Sequence, residues 1–194
     1  MRVFAAPSGP VPDFARAVSL ACHDLRTPLA TVSGFTKTLA RGGSLDDNSS
    51  RYVEMIDVAA QQLAALLDEL GRLARIEGGR YDPVLAAADT LALASSPDER
   101  VSATGEGATI ETDPPALQRA LEALALAAAR YGGVDDVVWS VRGRELELRP
   151  VTAKAAPVVL GDDPKDFGAL VGRRVIEALG GSVELDGEAL RVRL

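Results

Sequence analysis

The sequence predicts an α+β protein, in which a long antiparallel helical hairpin is followed by an α/β sandwich. Two observations carry the hairpin. Seam residues recur at Leu25, Leu29, Val32, Thr36 and Leu39, in steps of four and three. They recur again at Val53, Ile56, Ala60, Leu63, Leu67, Leu70 and Ala74. This alternation marks helices packed side by side. A third observation carries the sandwich. From Tyr81 onward the pattern breaks into short helical and alternating runs punctuated by glycine and proline, the texture of helices grouped with short antiparallel strands.

In chain order, residues 1–12, with Pro7, Gly9, Pro10 and Pro12, read as a flexible leader. Asp13 is placed to cap the first helix, which runs to Arg41 and stops at Gly42-Gly43. About 29 residues make a helix of roughly 43 Å. Gly42 to Ser49 forms a polar loop, and Ser49 or Ser50 caps a second helix that reaches Ile76 and closes at Gly78-Gly79. The hairpin domain thus covers residues 13–79. An apolar stripe on each arm cannot be buried within one hairpin, whereas two hairpins can bury them as a four-helix bundle. A homodimer is expected, the alternative being a hairpin packed on its own C-terminal domain.

Residues 80–194 form the second domain. Pro83 to Ala94 reads as a short helix, and Val101 to Thr112 as a strand pair or a strand with a turn. Asp113-Pro114-Pro115 opens an apolar helix over Ala116 to Tyr131. Val137 to Val141 and Glu145 to Leu148 make a hairpin across Arg142-Gly143-Arg144. Phe167 to Leu179 is a helix stopped by Gly180-Gly181. Ser182 to Leu185 and Leu190 to Leu194 close the chain as a hairpin over Asp186-Gly187-Glu188.

Composition narrows the function. The 194 residues are 47% hydrophobic and 25% charged, ordinary for a globular protein, and long enough for a core. A net charge of -7 argues against nucleic acid or an anionic membrane as partner. One cysteine, Cys22, cannot form an internal disulfide and suits a reducing cytoplasm. No run approaches the roughly 18 apolar residues of a membrane span, and there is no signal peptide. A cytoplasmic protein is expected, with its input supplied by another protein or absent.

The chemistry gathers in Cys22-His23-Asp24-Leu25-Arg26-Thr27-Pro28-Leu29. His23 is the sole histidine, so imidazole chemistry happens here or nowhere. Imidazole offers an unprotonated ring nitrogen near neutral pH. An adjacent carboxylate can hold the other nitrogen and fix the tautomer. Thr27 follows on the same face at i+4, and Pro28 removes a backbone donor.

His-Asp-Leu-Arg-Thr-Pro-Leu resembles the phosphoacceptor box of sensor histidine kinases, in their dimerisation and histidine-phosphotransfer (HisKA-type) domain. The resemblance implies that His23 is the phosphoacceptor and that Asp24 orients and activates it. It implies that Thr27 can position a water for dephosphorylating a partner's aspartyl phosphate. Partners would then be response-regulator receiver domains, docking on the first helix below His23 at Arg26, Ser33 and Lys37, with Gln61 and Gln62 facing them. A cation at Arg26 would lower the cost of a transferring phosphoryl charge.

The second domain is similar in layout to the kinase ATP-binding domain of the GHKL type. Thr112-Asp113-Pro114 stands where that family opens its nucleotide helix. Phe167-Gly168-Ala169-Leu170-Val171-Gly172 with Gly180-Gly181 resembles its last glycine box and the double glycine beyond. Three features depart. Where the family has Asn-Leu-Leu-x-Asn-Ala-x-Lys-Tyr, this chain has Ala123-Leu124-Ala125-Leu126-Ala127-Ala128-Ala129-Arg130-Tyr131, leaving no oxygen ligand for Mg²⁺. Where the family has Asp-x-Gly-x-Gly, Arg149 to Pro157 holds neither acid nor glycine, and Gly161-Asp162-Asp163 reads as a turn. The lid shrinks to a few residues around Pro164 and Lys165.

The expectation is a degenerate ATPase-like domain without ATP or Mg²⁺, on a dimeric histidine phosphotransferase that relays phosphoryl groups between receiver aspartates through His23. Two alternatives stand beside it: a phosphatase or regulator acting through Thr27, and a weak, atypical ATP-dependent kinase.

Overall fold

A computed structural model describes residues 11–42 and 45–194. The chain divides into a unit ending at Arg80 and another beginning at Tyr81. The expected leader falls largely outside the described residues, as do positions 43 and 44 of the loop.

Helix α1 spans Val11–Arg41 and helix α2 spans Asp47–Glu77. The first helix already includes Val11, so Asp13 lies inside it rather than at a cap. The second begins earlier than Ser49. Asp46 is its N-cap, with Oδ1 accepting from the Ser49 amide at 2.6 Å, because a carboxylate satisfies that orphan donor at least as well as a hydroxyl. Gly78 closes the helix, and Gly79 follows with φ of 64°, a conformation only glycine adopts at little cost.

The seam divides in two once the arms are together. On α2, Val53, Ala60 and Ala74 are buried against α1, whereas Ile56 and Leu63, three residues on from Val53 and Ala60, stay 46% and 53% exposed. On α1, Cys22 and Thr36 are buried, whereas Leu25, Val32 and Leu39 are 53%, 44% and 50% exposed. Each arm therefore turns one seven-residue repeat inward and leaves the other outward, the geometry of helices that need two neighbours. Three contacts fix the register. A methyl group built on Gly78 would lie 3.4 Å from the Ala15 Cβ, and one on Gly71 would lie 3.9 Å from the Cys22 Cβ. Further down, the Thr36 hydroxyl donates to Asp57 Oδ1 at 3.3 Å.

In the second unit a five-stranded sheet runs in the order β2 (Val101–Gly107), β4 (Val137–Gly143), β5 (Glu145–Arg149), β7 (Ala189–Arg193), β6 (Ser182–Asp186). The β2–β4 pair is parallel and the rest are antiparallel. Alternation sends Val137, Trp139, Val141, Leu146, Leu148, Leu190 and Val192 into the core. The opposite face carries the cross-strand ion pairs Arg191–Glu147 and Arg193–Glu145.

Helix α4 (Pro114–Gly132) and helix α6 (Phe167–Ala178) belong to the core layer. Asp113 caps α4 through Oδ1, while its Oδ2 takes the Tyr81 hydroxyl at 3.2 Å. Asp166 caps α6 in the same way, accepting from Ala169 N at 3.0 Å.

Three expected elements differ. Residues 83–94 are not one helix: strand β1 (Ala86–Asp89) is followed by the five-residue helix α3 (Thr90–Ala94). The alanines favour helix locally, but β1 pairs with β3 (Thr109–Thr112), and Asp89 caps α3 by accepting from the Leu91 and Ala92 amides. Strands β2 and β3 do not pair with each other; they belong to different sheets. A short helix, α5 (Ala156–Val159), stands where only irregular chain was expected.

Candidate functional site

His23 sits near the middle of α1 with its side chain 77% exposed, on the flank rather than the inward seam. Its Nδ1 lies 3.3 Å from Asp24 Oδ1. A carboxylate can only accept, so a hydrogen bond in this contact is donated by Nδ1–H. That leaves Nε2 as the ring nitrogen not engaged by Asp24. Thr27 is exposed one turn further on. Pro28 has no amide hydrogen, so the Asp24 carbonyl lacks its helical donor. The Thr31 hydroxyl bonds back to the Thr27 carbonyl at 3.1 Å, a contact that favours a slight bend just past the site.

Arg26 does not extend free into solvent. Its guanidinium reaches across the hairpin to Asp68, with Nη2 at 2.7 Å and Nε at 3.2 Å from Oδ1. Both groups are substantially exposed, which screens the pair. Ser33 is half-buried and Lys37 is exposed. Gln61 is held by Asp57 Oδ2 at 2.7 Å, whereas Gln62 lies about 100° further round α2. The flank beside His23 therefore carries Arg26, Ser33 and Lys37 from α1 with Asp57, Gln61 and Asp68 from α2.

Sequence reasoning missed Asp68, Gly71 and Asp57. Asp57 and Asp68 join this flank, and Gly71 the seam behind it, only through the register of the two arms. Equal distance from the loop was the one signal that could have found them, since Cys22 with Gly71 and Thr36 with Asp57 obey it.

The other half of the expected chemistry lies on α4 and α6. Ala127, where the family resemblance places an asparagine, is 1% exposed. A methyl group on Gly172 would stand 2.9 Å from the Ala120 carbonyl oxygen, so α4 and α6 touch backbone to backbone. Gly168 faces Ala123 Cβ at 3.4 Å from such a methyl. Glu122, the remaining acid on this stretch, accepts from the Ser96 hydroxyl at 2.5 Å. Beside them α5 is packed in, with Ala156, Val158 and Val159 at 8%, 2% and 0% exposed. Apart from Glu122, which is engaged by Ser96, these residues present methyl groups or bare backbone rather than oxygen ligands. The Gly161–Asp163 stretch is a turn in which Asp163 pairs with Lys165 at 2.6 Å.

Residues 15–79 match the His Kinase A (phospho-acceptor) domain. The chain is histidine kinase-like and carries a HisKA domain. Over 140 residues it is 28% identical to the sensor-like histidine kinase SenX3 of Mycolicibacterium smegmatis, covering 70% of this chain and 36% of that protein. The sensor protein DivL of Caulobacter vibrioides is 34% identical over 67 residues, or 34% of this chain and 8% of DivL.

Among solved structures, full-length ShkA in complex with AMPPNP covers 91% of this chain and 44% of ShkA, with a TM-score of 0.64 at 20% identity. The Acinetobacter baumannii histidine kinase AdeS covers 89% of this chain and 96% of AdeS, with a TM-score of 0.53 at 18% identity. These likenesses establish a kinase-type fold, a HisKA hairpin followed by an α/β sheet domain. Among the described residues, no helix is long and apolar enough to cross a membrane.

Proposed function

We propose that this HisKA protein is a dimeric histidine phosphotransferase, which takes a phosphoryl group from one receiver aspartate onto His23 and passes it to another without using ATP. The observation that carries the reading is a contrast within one chain. His23 keeps an open Nε2 and an orienting Asp24, while the stretch that would hold nucleotide is alanine packed on glycine. Transfer from a receiver needs little more than an exposed, correctly held imidazole, because positioning does most of the work.

The step balances simply. Nε2 forms the N–P bond as the aspartyl O–P bond breaks, and the electron pair leaves with the receiver's carboxylate. The Nδ1 proton stays shared with Asp24. Dimerisation supplies the bundle, since the outward repeats of both arms remain exposed in a single copy. The receiver would settle on the flank formed by Arg26, Ser33 and Lys37, and the protein would work in the cytoplasm.

Two other readings each have an observation behind them. Thr27, exposed one turn from His23, suits a phosphatase that holds a water against a receiver's aspartyl phosphate. The likeness to ShkA, which was solved with AMPPNP, suits a kinase. One experiment separates all three: purified protein and a His23→Ala control are incubated with γ-labelled ATP and Mg²⁺, and separately with a labelled phospho-receiver. Acid-labile label arriving at His23 only from the receiver is the expected result. Label from ATP would establish a kinase instead, and loss of receiver phosphate with none on His23 would establish a phosphatase.

A further inference from the structure

The notch at Gly71 on α2 lies directly across from Cys22, at the level of the phosphoacceptor. A methyl group built there would lie 3.6 Å from Arg26 Nη2 and 3.7 Å from Arg75 Nη1. Two guanidinium groups, one from each arm, therefore converge on the same point, at most about 7 Å apart. Asp68 binds Arg26 at 2.7 Å, and Arg72 is already paired with Glu69 at 3.0 Å. The cluster of Arg26, Arg75 and Asp68 thus carries one positive charge more than its acid balances. Two like charges held this close repel each other, and a tetrahedral dianion is the ligand that relieves them, because guanidinium forks match phosphate geometry.

We propose that Arg26 and Arg75 form a phosphoryl-binding subsite beside His23, with Asp68 as its resting occupant. As phosphoryl charge arrives next to Arg26, the guanidinium exchanges Asp68 for phosphoryl oxygens, and Arg75 adds its donors from the other arm. Gly71 makes room, since a larger side chain would push both groups away from the helix surface. Phosphorylation then loosens the Arg26–Asp68 tie between α1 and α2, so the hairpin senses the state of its own histidine. Arg75 and Asp68 are positioning residues that act on the charge of the group and do not take the phosphoryl themselves. The subsite deepens the phosphotransfer reading and rests on it for its purpose, but its binding can be measured without any transfer.

The test is a titration of the full chain with inorganic phosphate, followed by the side-chain Nε–H signals of its arginines in NMR. Arg26 and Arg75 are expected to shift together. Arg75→Gln is expected to weaken phosphate two- to fivefold, Arg75→Lys to restore most of that loss, and Asp68→Asn to tighten it by about the same factor. A purely structural role for Arg75 would move the melting temperature and not the phosphate affinity. No shift at these two arginines, or equal affinity in all four proteins, would overturn the subsite.

A second measurement keeps the two proposals apart: the protein is phosphorylated with phosphoramidate and the lifetime of the label on His23 is followed. A wild-type chain that binds phosphate at the arginines but never takes label refutes phosphotransfer alone. A chain that takes label, with a lifetime and phosphate affinity unchanged in Arg75→Gln, refutes the subsite alone.

Discussion

Val32→Glu tests whether a second copy covers the outward repeat of the HisKA hairpin. Val32 is 44% exposed in one copy and sits between Leu25 and Leu39, at 53% and 50%. Fully burying such a side chain is worth about 1.5–3 kcal/mol, so roughly 1 kcal/mol remains to be gained at each of these half-exposed positions. Two-fold symmetry counts each substitution twice, giving about 2 kcal/mol for Val32 before the charge is considered. A carboxylate left unpaired in the bundle core adds to that cost. Since about 1.4 kcal/mol is tenfold, the dimer should weaken by at least about 30-fold. The control is Ala30→Glu, two residues away on the opposite side of α1 and exposed. Sedimentation equilibrium across the dissociation range gives both constants. A wild-type monomer, or equal dissociation constants for the two variants, would refute the bundle.

Other predictions follow from particular contacts. In α6, Gly172→Ala should lower the urea midpoint. Its methyl would meet the Ala120 oxygen at 2.9 Å, and overpacking of about 1–3 kcal/mol outweighs a helix-propensity gain of about 1 kcal/mol. Gly168→Ala, with its nearest contacts at 3.4 Å, should be neutral or stabilising by less than about 1 kcal/mol. If both variants behave alike, the close crossing of α4 and α6 is wrong.

Acid should act through specific carboxylates. Asp98 is held at about 2, below its ordinary 3.8, by hydrogen bonds from Arg100, and the Ser49 amide lowers Asp46 in the same direction. A depressed folded value contributes stability that is present above the unfolded value and lost as pH falls through the folded one. Asp98→Asn should therefore flatten the loss of stability between pH 3.8 and about 2, as read from melting temperatures: the variant melts below wild type at neutral pH, where the contribution is present, and converges on it in acid. An identical acid profile in the variant would rule this out.

Much of this molecule is settled by local sequence. The three-four alternation and the glycine stops specify two long helices, because helix-forming runs and chain terminators act within a few residues. Asp113 and its prolines open α4 for the same reason, and Gly143 and Gly187, at φ of 63° and 59°, turn the two terminal hairpins. The box around His23 is likewise a local signal, since neighbours on one helix place Asp24 and Thr27 without help from the rest of the fold.

What the sequence left open depends on partners far along the chain. Leu25 and Leu29 look alike as letters, yet α2 takes the side of Leu29 and leaves Leu25 outside, because one helix can cover only one stripe of another. Ala86 to Ala88 became a strand because β3 offered a ladder of hydrogen bonds, which outweighs alanine's small preference for helix. Arg26 reads as a free surface cation until the register of the arms brings Asp68, 42 residues away, within 2.7 Å. Charge, periodicity and caps are written in short stretches of chain; which stripe is covered, and which arginine is held, is decided only when distant segments compete for the same space.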